Sequence, residues 1–267
     1  MKLLNVTSCF GFKRNKRIQM NKKYCNSFLF LFLLVVIGCK VTKSQTYDAN
    51  FSKPIITEKG QYVYNELPGI KTTEGVLFFL DRNLGATSTD VSTSDSWGDL
   101  YQWGRATDGH EKRYSDTTLT LSHIGEVHHN RFIVDERKSN DWLTWSDNDL
   151  WNEKGGVNNP CPCGYRLPTS KEWKALLDLG YEVKKSTSGY YYLSIDNGKL
   201  LLPSGGLRSA WTGNFQHMGT RGYYWAADAK SKGTSSCIDF NRDDITTNIS
   251  IFGFRCFGRS VRCMRGE

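Results

Sequence analysis

The sequence of 267 residues lacks the short motifs of the common catalytic and phosphate-binding sites. It contains no G-x-S-x-G, no H-E-x-x-H and no C-x-x-C, and no paired carboxylates in a context that indicates general acid and base chemistry. The pair Gly205-Gly206 follows Leu-Pro and leads into no Lys-Ser/Thr step, so it predicts no phosphate cradle. The sequence therefore indicates a protein that is not an enzyme.

Net charge is nearly absent once the first 38 residues are set aside. The formal charge of the whole chain is +8, but residues 1–38 carry seven basic side chains and no acidic one, which leaves 28 basic against 27 acidic residues in the remainder. A charge-balanced surface does not steer polyanions toward it. The sequence therefore predicts no nucleic-acid partner.

No hydrophobic run is long enough for a comfortable membrane span of about 20 residues. The apolar run Phe28–Ile37 has ten residues and follows Lys22 and Lys23. A short apolar segment behind positive charges is typical of a signal peptide, so the sequence predicts export. Because Met20 begins a compact signal peptide by itself, we interpret the first 19 residues as an upstream extension of the reading frame.

The sequence offers two alternative processing sites at the end of this leader. Gly38-Cys39 directly follows the apolar run in the manner of a bacterial lipobox, which predicts lipidation of Cys39, a lipid anchor in the membrane and an outer-membrane location in the cell envelope. Ordinary cleavage near Ser44 is the alternative, and it predicts a secreted or periplasmic protein. The predicted organisation is an N-terminal extension and signal peptide (1–38), a polar tether (39–60) and one domain (61–267).

Five cysteines follow the leader, in a compartment where disulfides form. An odd number allows at most two disulfides and leaves one thiol. The pair Cys161-Pro-Cys163 fits either redox exchange or a structural staple. The five are Cys161, Cys163, Cys237, Cys256 and Cys263.

One helix and several short strands are predicted along the domain. Thr169 and Glu172 form a capping box before an apolar face, and Gly180 is a natural stop for this helix. The segment 105–146 is polar and predicts an extended loop with local pieces of structure, and the predicted fold class is α+β. The predicted strands are 62–64, 76–80, 200–202, 223–225, 237–240, 249–252 and 259–263.

From about residue 61 onward, a series of motifs resembles the Fibrobacter succinogenes major paralogous domain, a family common in exported proteins and lipoproteins of Bacteroidota. The resemblance implies a C-type-lectin-like fold, related to that of formylglycine-generating enzymes, with short twisted antiparallel strands, few helices and large irregular loops. Cys163 and the length of segment 105–146 depart from the family pattern. The motifs are 81–86 (DRNLGA), 98–105 (GDLYQWGR), 159–169 (NPCPCGYRLPT), 202–208 (LPSGGLR), 222–225 (GYYW) and 260–263 (SVRC).

The implied fold places the terminal strands beside the first part of the core. On that basis we expect a disulfide between Cys161 and Cys263, and a second between Cys237 and Cys256 on neighbouring strands. Cys163 is then the expected unpaired thiol.

Two groups of side chains are candidate metal ligands. Asp147, Asp149, Asn152 and Glu153 offer the oxygen atoms that calcium prefers, and calcium is the one cofactor considered. The alternative is Asp/Asn turn chemistry. His110, His123, His128 and His129 lie within twenty residues and fit either a metal site or a solvated polar loop.

The sequence has 8 Trp and 13 Tyr, whose rings suit either a core or stacking on sugar rings. We predict that Trp103, Trp142, Trp173 and Trp225 are core residues. Trp211 stands among small and polar residues, which predicts exposure and makes it the candidate ligand-binding residue.

The predicted function is a non-catalytic binding module of the cell envelope, with a glycan or a surface protein as its ligand. The alternative is a structural or accessory subunit of an envelope or fimbrial assembly. An enzyme of the formylglycine-generating type is disfavoured, because that chemistry needs a reactive cysteine pair and the C-terminal cysteines here resemble strand staples.

Overall fold

The computed structural model describes residues 55–56, 62–242 and 253–266. Contacts divide the chain into two units, Met1–Thr46 and Tyr47–Glu267, and every described residue belongs to the second. In this part of the chain, one α-helix and one 3-10 helix stand among eighteen mostly short strands. The arrangement is α+β with few helices, as the sequence predicts.

The strands that precede the α-helix are two or three residues long, and a 3-10 helix at Ser94–Ser96 separates β4 from β5. They are β1 (Ile55–Ile56), β2 (Val63–Tyr64), β3 (Ile70–Thr72), β4 (Gly75–Leu77), β5 (Tyr101–Gln102), β6 (Thr117–Thr118), β7 (Phe132–Ile133) and β8 (Tyr165–Arg166).

Helix α1 spans Ser170–Leu177 and begins at the predicted capping box. The Thr169 hydroxyl accepts from the backbone N–H of Glu172 at 3.2 Å, and the Glu172 carboxylate accepts from the backbone N–H of Thr169 at 2.6 Å. This reciprocal pair satisfies two N–H groups that a helix start otherwise leaves unpaired. The predicted helix start is therefore confirmed.

The strands after the helix include the two longest, which form one hairpin. They are β9 (Tyr181–Lys185), β10 (Tyr191–Ile195), β11 (Leu200–Pro203), β12 (Leu207–Arg208), β13 (Phe215–Gln216), β14 (Gly222–Ser231), β15 (Thr234–Phe240), β16 (Gly253–Phe254), β17 (Gly258–Arg259) and β18 (Met264–Arg265).

The sheets are small, and their pairings join distant parts of the chain. Three have more than two strands, in the orders β11-β10-β9, β13-β12-β17-β5 and β14-β15-β16. Strands β8 and β18 pair with each other, so the segment before α1 lies beside the end of the described chain. All described strand pairs are antiparallel except β6 with β7.

Three buried clusters form the core, and each contains several aromatic rings among aliphatic side chains. Helix α1 packs Trp173 against Phe79 and Tyr224, with ring centroids 5.8 and 6.4 Å away. Side chains of this size bury roughly 150–250 Å² each. The predicted core tryptophans are all fully buried, which confirms that assignment: Trp103, Trp142, Trp173 and Trp225.

The predicted loop 105–146 is only partly irregular. It contains β6 and β7, and it buries Phe132, Ile133 and Trp142 completely. The sequence did not indicate these buried contacts, because the apolar residues stand in short runs within a polar segment and meet their partners only in the fold. The short strands β6 and β7 agree with the local pieces of structure that the sequence predicts within this loop, whereas the predicted strand 249–252 lies outside the described residues.

The predicted disulfide between Cys161 and Cys263 is confirmed, with Cα atoms 5.8 Å apart. The predicted pairing of Cys237 with Cys256 is wrong, because both are buried cysteines that form no disulfide. Strand β16 pairs with the start of β15, and the antiparallel register carries these two residues away from each other. Cys163 is itself disulfide-bonded, so the expectation that it is the leftover thiol is also wrong.

Candidate functional site

A large open cleft lies at the start of helix α1. It encloses about 1280 Å³ and is formed by loop 148–159, by segment 164–172 with the helix start, and by Asp228 and Ala229 of β14. Small-molecule sites usually enclose roughly 300–1,000 Å³. The cleft is therefore large enough for an extended ligand.

A buried ion pair builds one side of the cleft. Arg166 donates from Nη1 and Nη2 to the two carboxylate oxygens of Glu172, at 2.9 and 2.7 Å. Burial by itself raises the pKa of Glu172, but the hydrogen bonds from Arg166 and Thr169 outweigh it, so the pKa lies below the ordinary value. Glu172 is therefore a fixed anion that orients the helix start.

Asp228 fixes the same helix start from the sheet side. Its Oδ1 accepts from the backbone N–H of Ser170 at 2.6 Å, and its Oδ2 accepts from the Ser236 hydroxyl at 2.5 Å. Both carboxylate oxygens of Asp228 are thus engaged within the protein. This wall is held in shape before any ligand arrives, which lowers the entropic cost of binding.

The opposite wall is tied to the Cys161–Cys263 disulfide. Asn159 donates from Nδ2 to the Tyr165 carbonyl at 2.6 Å and accepts from the backbone N–H of Cys161 at 3.2 Å. The phenol of Tyr165 donates to Glu66 Oε2 at 2.7 Å. The amide and the ring that line the cleft are therefore anchored by their own backbone and side-chain contacts.

The rim of the cleft carries balanced charges. Glu74, Glu153, Lys154 and Lys171 line it and are exposed. The two carboxylates and two ammonium groups of the rim cancel, and so do Arg166 and Glu172 below them, which leaves the single negative charge of Asp228. The cleft therefore offers many hydrogen-bonding groups and no positive field that would select an anion.

The predicted calcium ligands lie at or near this cleft, and two of them serve in turns. Asp147 Oδ1 accepts from the backbone N–H of Asp149 at 2.9 Å, and Asn152 Oδ1 accepts from that of Lys154 at 2.9 Å. Asn152 and Glu153 line the cleft, whereas Asp147 and Asp149 do not. The turn chemistry considered as the alternative is present, and calcium binding stays a prediction.

The four predicted histidines do not share one environment. His110 is fully buried, whereas His123, His128 and His129 are exposed. In the described part of the chain, one group of three potential ligand side chains contains a histidine, and it joins His110 to Asp108 and Glu111. Among the described residues the four histidines are therefore not brought together as one ligand set, and the three exposed ones fit the alternative of a solvated polar loop.

The hydrogen bonds of His110 hold it in a form that suits packing rather than metal binding. Its Nε2 accepts from the backbone N–H of Gln102 at 3.1 Å, and its Nδ1 lies 2.7 Å from Asp108 Oδ1. Because a backbone N–H only donates, Nε2 must carry a lone pair and Nδ1 must carry the proton. Nδ1, which faces the carboxylates of Asp108 and Glu111, is then a hydrogen-bond donor and offers no lone pair to a metal. Arg105 Nη2 also lies 2.7 Å from Asp108 Oδ2 and pairs with that carboxylate.

Two tryptophans remain exposed, and the sequence singled out only one as a ligand contact. Trp211 is 41% exposed, as predicted, but the Phe257 ring packs on it at 5.0 Å and Lys138 Nζ lies 5.8 Å from its centroid. Trp145 is 70% exposed, three residues before the cleft residue Asn148. The sequence does not indicate that Trp145 is exposed, because the nearby Trp142 and Trp151 lie in the same polar stretch and are buried.

Comparison with known proteins assigns no relative. No family model, curated protein or solved structure matches this chain. Within the described residues, the helices are too short and too polar to cross a bilayer. The fold family and the function therefore rest on the motifs and on the geometry of the cleft.

Proposed function

We propose that this chain is a non-catalytic carbohydrate-binding module of the cell envelope and that the cleft at helix α1 is its binding site. The observation that carries the proposal is the cleft itself, whose rim is charge-balanced and whose walls are rigid. Sugars are neutral and rich in hydroxyl groups, so they need many donors and acceptors at fixed positions. The amides of Asn148, Asn152 and Asn159 line the cleft, and beyond their hydrogen bonds within the protein each amide has a further N–H and a further lone pair.

The charge pattern supports a neutral glycan over other ligands. A polyanion needs an excess of basic groups, and a lipid needs an apolar wall. The rim has equal numbers of Lys and Glu side chains, and most residues of the lining are polar. A cleft of about 1280 Å³ further supports an oligosaccharide over a single sugar.

The family resemblance supports the same class of function. We propose that the domain is a Fibrobacter succinogenes major paralogous domain with a C-type-lectin-like fold, exported and anchored by a lipid on Cys39. The many antiparallel strands and the single described α-helix are compatible with that fold. Acyl labelling that disappears in Cys39→Ala supports the anchor, and unchanged labelling contradicts it.

Binding of neutral oligosaccharides to the full-length protein tests the proposed function. We expect Glu153→Ala and Lys171→Ala to weaken binding about five- to tenfold each, because each removes one exposed polar contact worth about 1 kcal/mol. Isothermal titration calorimetry measures the change.

Lys174→Ala is the matched control, since Lys174 lies on the same helix, pairs with Asp178 at 2.7 Å and does not line the cleft. Absence of binding to any saccharide on a glycan array contradicts the proposal. Loss of an envelope assembly on gene deletion, with no glycan bound, favours the accessory-subunit alternative.

A further inference from the structure

We propose that Trp145 is a stacking platform that extends the carbohydrate site beyond the cleft, so that the preferred ligand is an oligosaccharide long enough to reach from the helix start to this ring. The inference rests on the proposed function, and it adds a specific residue and a minimum length of ligand to it. It follows from the exposure of Trp145, from the anchoring of its loop and from the connection of that loop to the cleft wall.

The exposure of Trp145 sets it apart from the other tryptophans. Its side chain is 70% exposed, whereas Trp97 is 9% exposed and the rest, apart from Trp211, are fully buried. Leaving an indole in water forgoes the stabilisation that burial of a large apolar ring provides. A flat apolar face held in solvent is suited to contact with another flat apolar face, such as that of a pyranose ring.

The backbone on both sides of Trp145 is anchored. Before it, the N–H of Thr144 donates to the carbonyl of Ser122 at 2.8 Å. After it, the hydroxyl of Ser146 accepts from the backbone N–H of Gly233 at 3.0 Å. The exposed ring therefore stands on a fixed base, which reduces the ordering cost when a ligand stacks on it.

A buried arginine joins this loop to the cleft. Arg255 is 1% exposed and lies over the Trp103 ring at 4.3 Å. It donates from Nη1 to the carbonyl of Asp147 at 2.9 Å and from Nη2 to the side-chain oxygen of Asn148, which lines the cleft. One guanidinium thus positions both the segment that carries Trp145 and one wall of the cleft, and we assign Arg255 as a positioning residue.

The chemistry around the ring favours a sugar over an apolar partner. The residues that follow Trp145 are Ser146, Asp147, Asn148 and Asp149, all of which offer oxygen atoms. A sugar ring has an apolar face to stack and hydroxyl groups at its edge to donate to such oxygens. Ser146, Asp147 and Asn148 each accept one hydrogen bond within the protein. An apolar protein surface would leave their remaining lone pairs and the Asp149 carboxylate without donors, which is costly once water is excluded.

Titration of the full-length protein with neutral gluco-, xylo- and manno-oligosaccharides of two to six units tests the inference. For the series that binds, we expect Trp145→Ala to weaken binding of the longest members about tenfold and to leave the disaccharide unchanged. Trp145→Phe should retain most of the affinity, and the melting temperature of both variants should equal that of the parent, because the ring is exposed. Glu153→Ala and Lys171→Ala should weaken short and long ligands alike.

Tyr114→Ala is the matched control, since Tyr114 is an 85% exposed aromatic residue that does not line the cleft, and it should change nothing. Unchanged affinity of Trp145→Ala for every length overturns the inference while the cleft variants still report on the proposed function. If Trp211→Ala, and not Trp145→Ala, weakens binding of the long ligands, then Trp211 is the stacking residue and the inference is overturned. If no saccharide binds the parent protein, both proposals fail.

Discussion

A single buried imidazole gives the core a defined response to acid. His110 has no solvent contact, and burial, followed by the positive charge of Arg105, lowers its pKa to about 4 although Asp108 acts in the opposite direction. In the unfolded chain a histidine takes up a proton near pH 6.5. The unfolded state therefore binds this proton first, and the free energy of unfolding falls as the pH drops from about 6.5 to about 4.

We predict that the His110 imidazole resonance titrates with a midpoint near pH 4 in the folded protein. The associated loss of stability is about 3 kcal/mol over that interval. Urea unfolding of the parent and of His110→Gln at several pH values isolates this contribution. The gap in stability between them should narrow as the pH falls, and a constant gap would mean that His110 does not titrate in this way.

Sequence predicted some of these residues and missed others for a physical reason. Thr169 and Glu172 stand three positions apart, so their contact follows from helix geometry alone. Asp228 accepts a hydrogen bond from the backbone N–H of Ser170, 58 positions earlier, and no local sequence pattern predicts this contact. The sequence also does not predict the contacts of Arg255, because its partner Asp147 lies more than a hundred residues earlier in the chain.

At the scale of the element, helix α1 depends on a charge that is nearly buried. Glu172 accepts hydrogen bonds from Arg166 and from the backbone of Thr169. Removing its charge leaves the Arg166 guanidinium without its counter-ion in a site where only 7% of that residue is exposed. Breaking a buried pair from one side is costly, because the remaining charge stays desolvated.

We predict that Glu172→Gln lowers the free energy of unfolding by about 3 kcal/mol at pH 7. Because the folded pKa of Glu172 is lowered from 4.5, its stabilisation is present above that value and is lost as the pH falls through the folded pKa. Urea unfolding measures the effect. Asp178→Asn removes an exposed pair on the same helix and should cost less than about 0.5 kcal/mol, and an equal cost for both variants would contradict the assignment.

The strand predictions were most accurate where apolar residues are contiguous. Leu200–Pro203 forms β11 at the predicted place, and the turn before it uses Asp196 and Asn197 at positive φ. The predicted strand 76–80 is shorter in the structure, where β4 ends at Leu77 and Phe79 and Leu80 make single bridges. Leu80 bridges to Glu66, whereas Phe79 bridges to Met264 near the other end of the domain, and periodicity within residues 76–80 reveals neither partner.

At the scale of the molecule, one disulfide closes a loop that spans about half of the domain. Cys161 and Cys263 are 102 positions apart, and their bond ties the wall of the cleft to the segment that includes β18. Cross-linking so long a loop removes unfolded-state entropy worth on the order of 4–5 kcal/mol. The pairing was expected from the family resemblance, because spacing alone leaves the connectivity of five cysteines open.

We predict that Cys161→Ala with Cys263→Ala lowers the free energy of unfolding by about 4 kcal/mol under oxidising conditions. Because Asn159 and Tyr165 flank this bond, the double variant should also lose affinity for any ligand of the cleft. Denaturant unfolding and calorimetry measure the two effects. Unaltered stability would mean that the bond does not constrain the unfolded chain.

The pairing of β5 with β17 sets an order of events in synthesis. Strand β5 begins at Tyr101, and its one strand partner among the described residues is β17, at Gly258–Arg259. A protein is synthesised from its N-terminus, so more than a hundred further residues must be made after β5 before its partner β17 exists. Distant pairings of this kind also fold slowly. The core of the domain therefore stays incomplete until β17 and β18 have been synthesised and have left the ribosome.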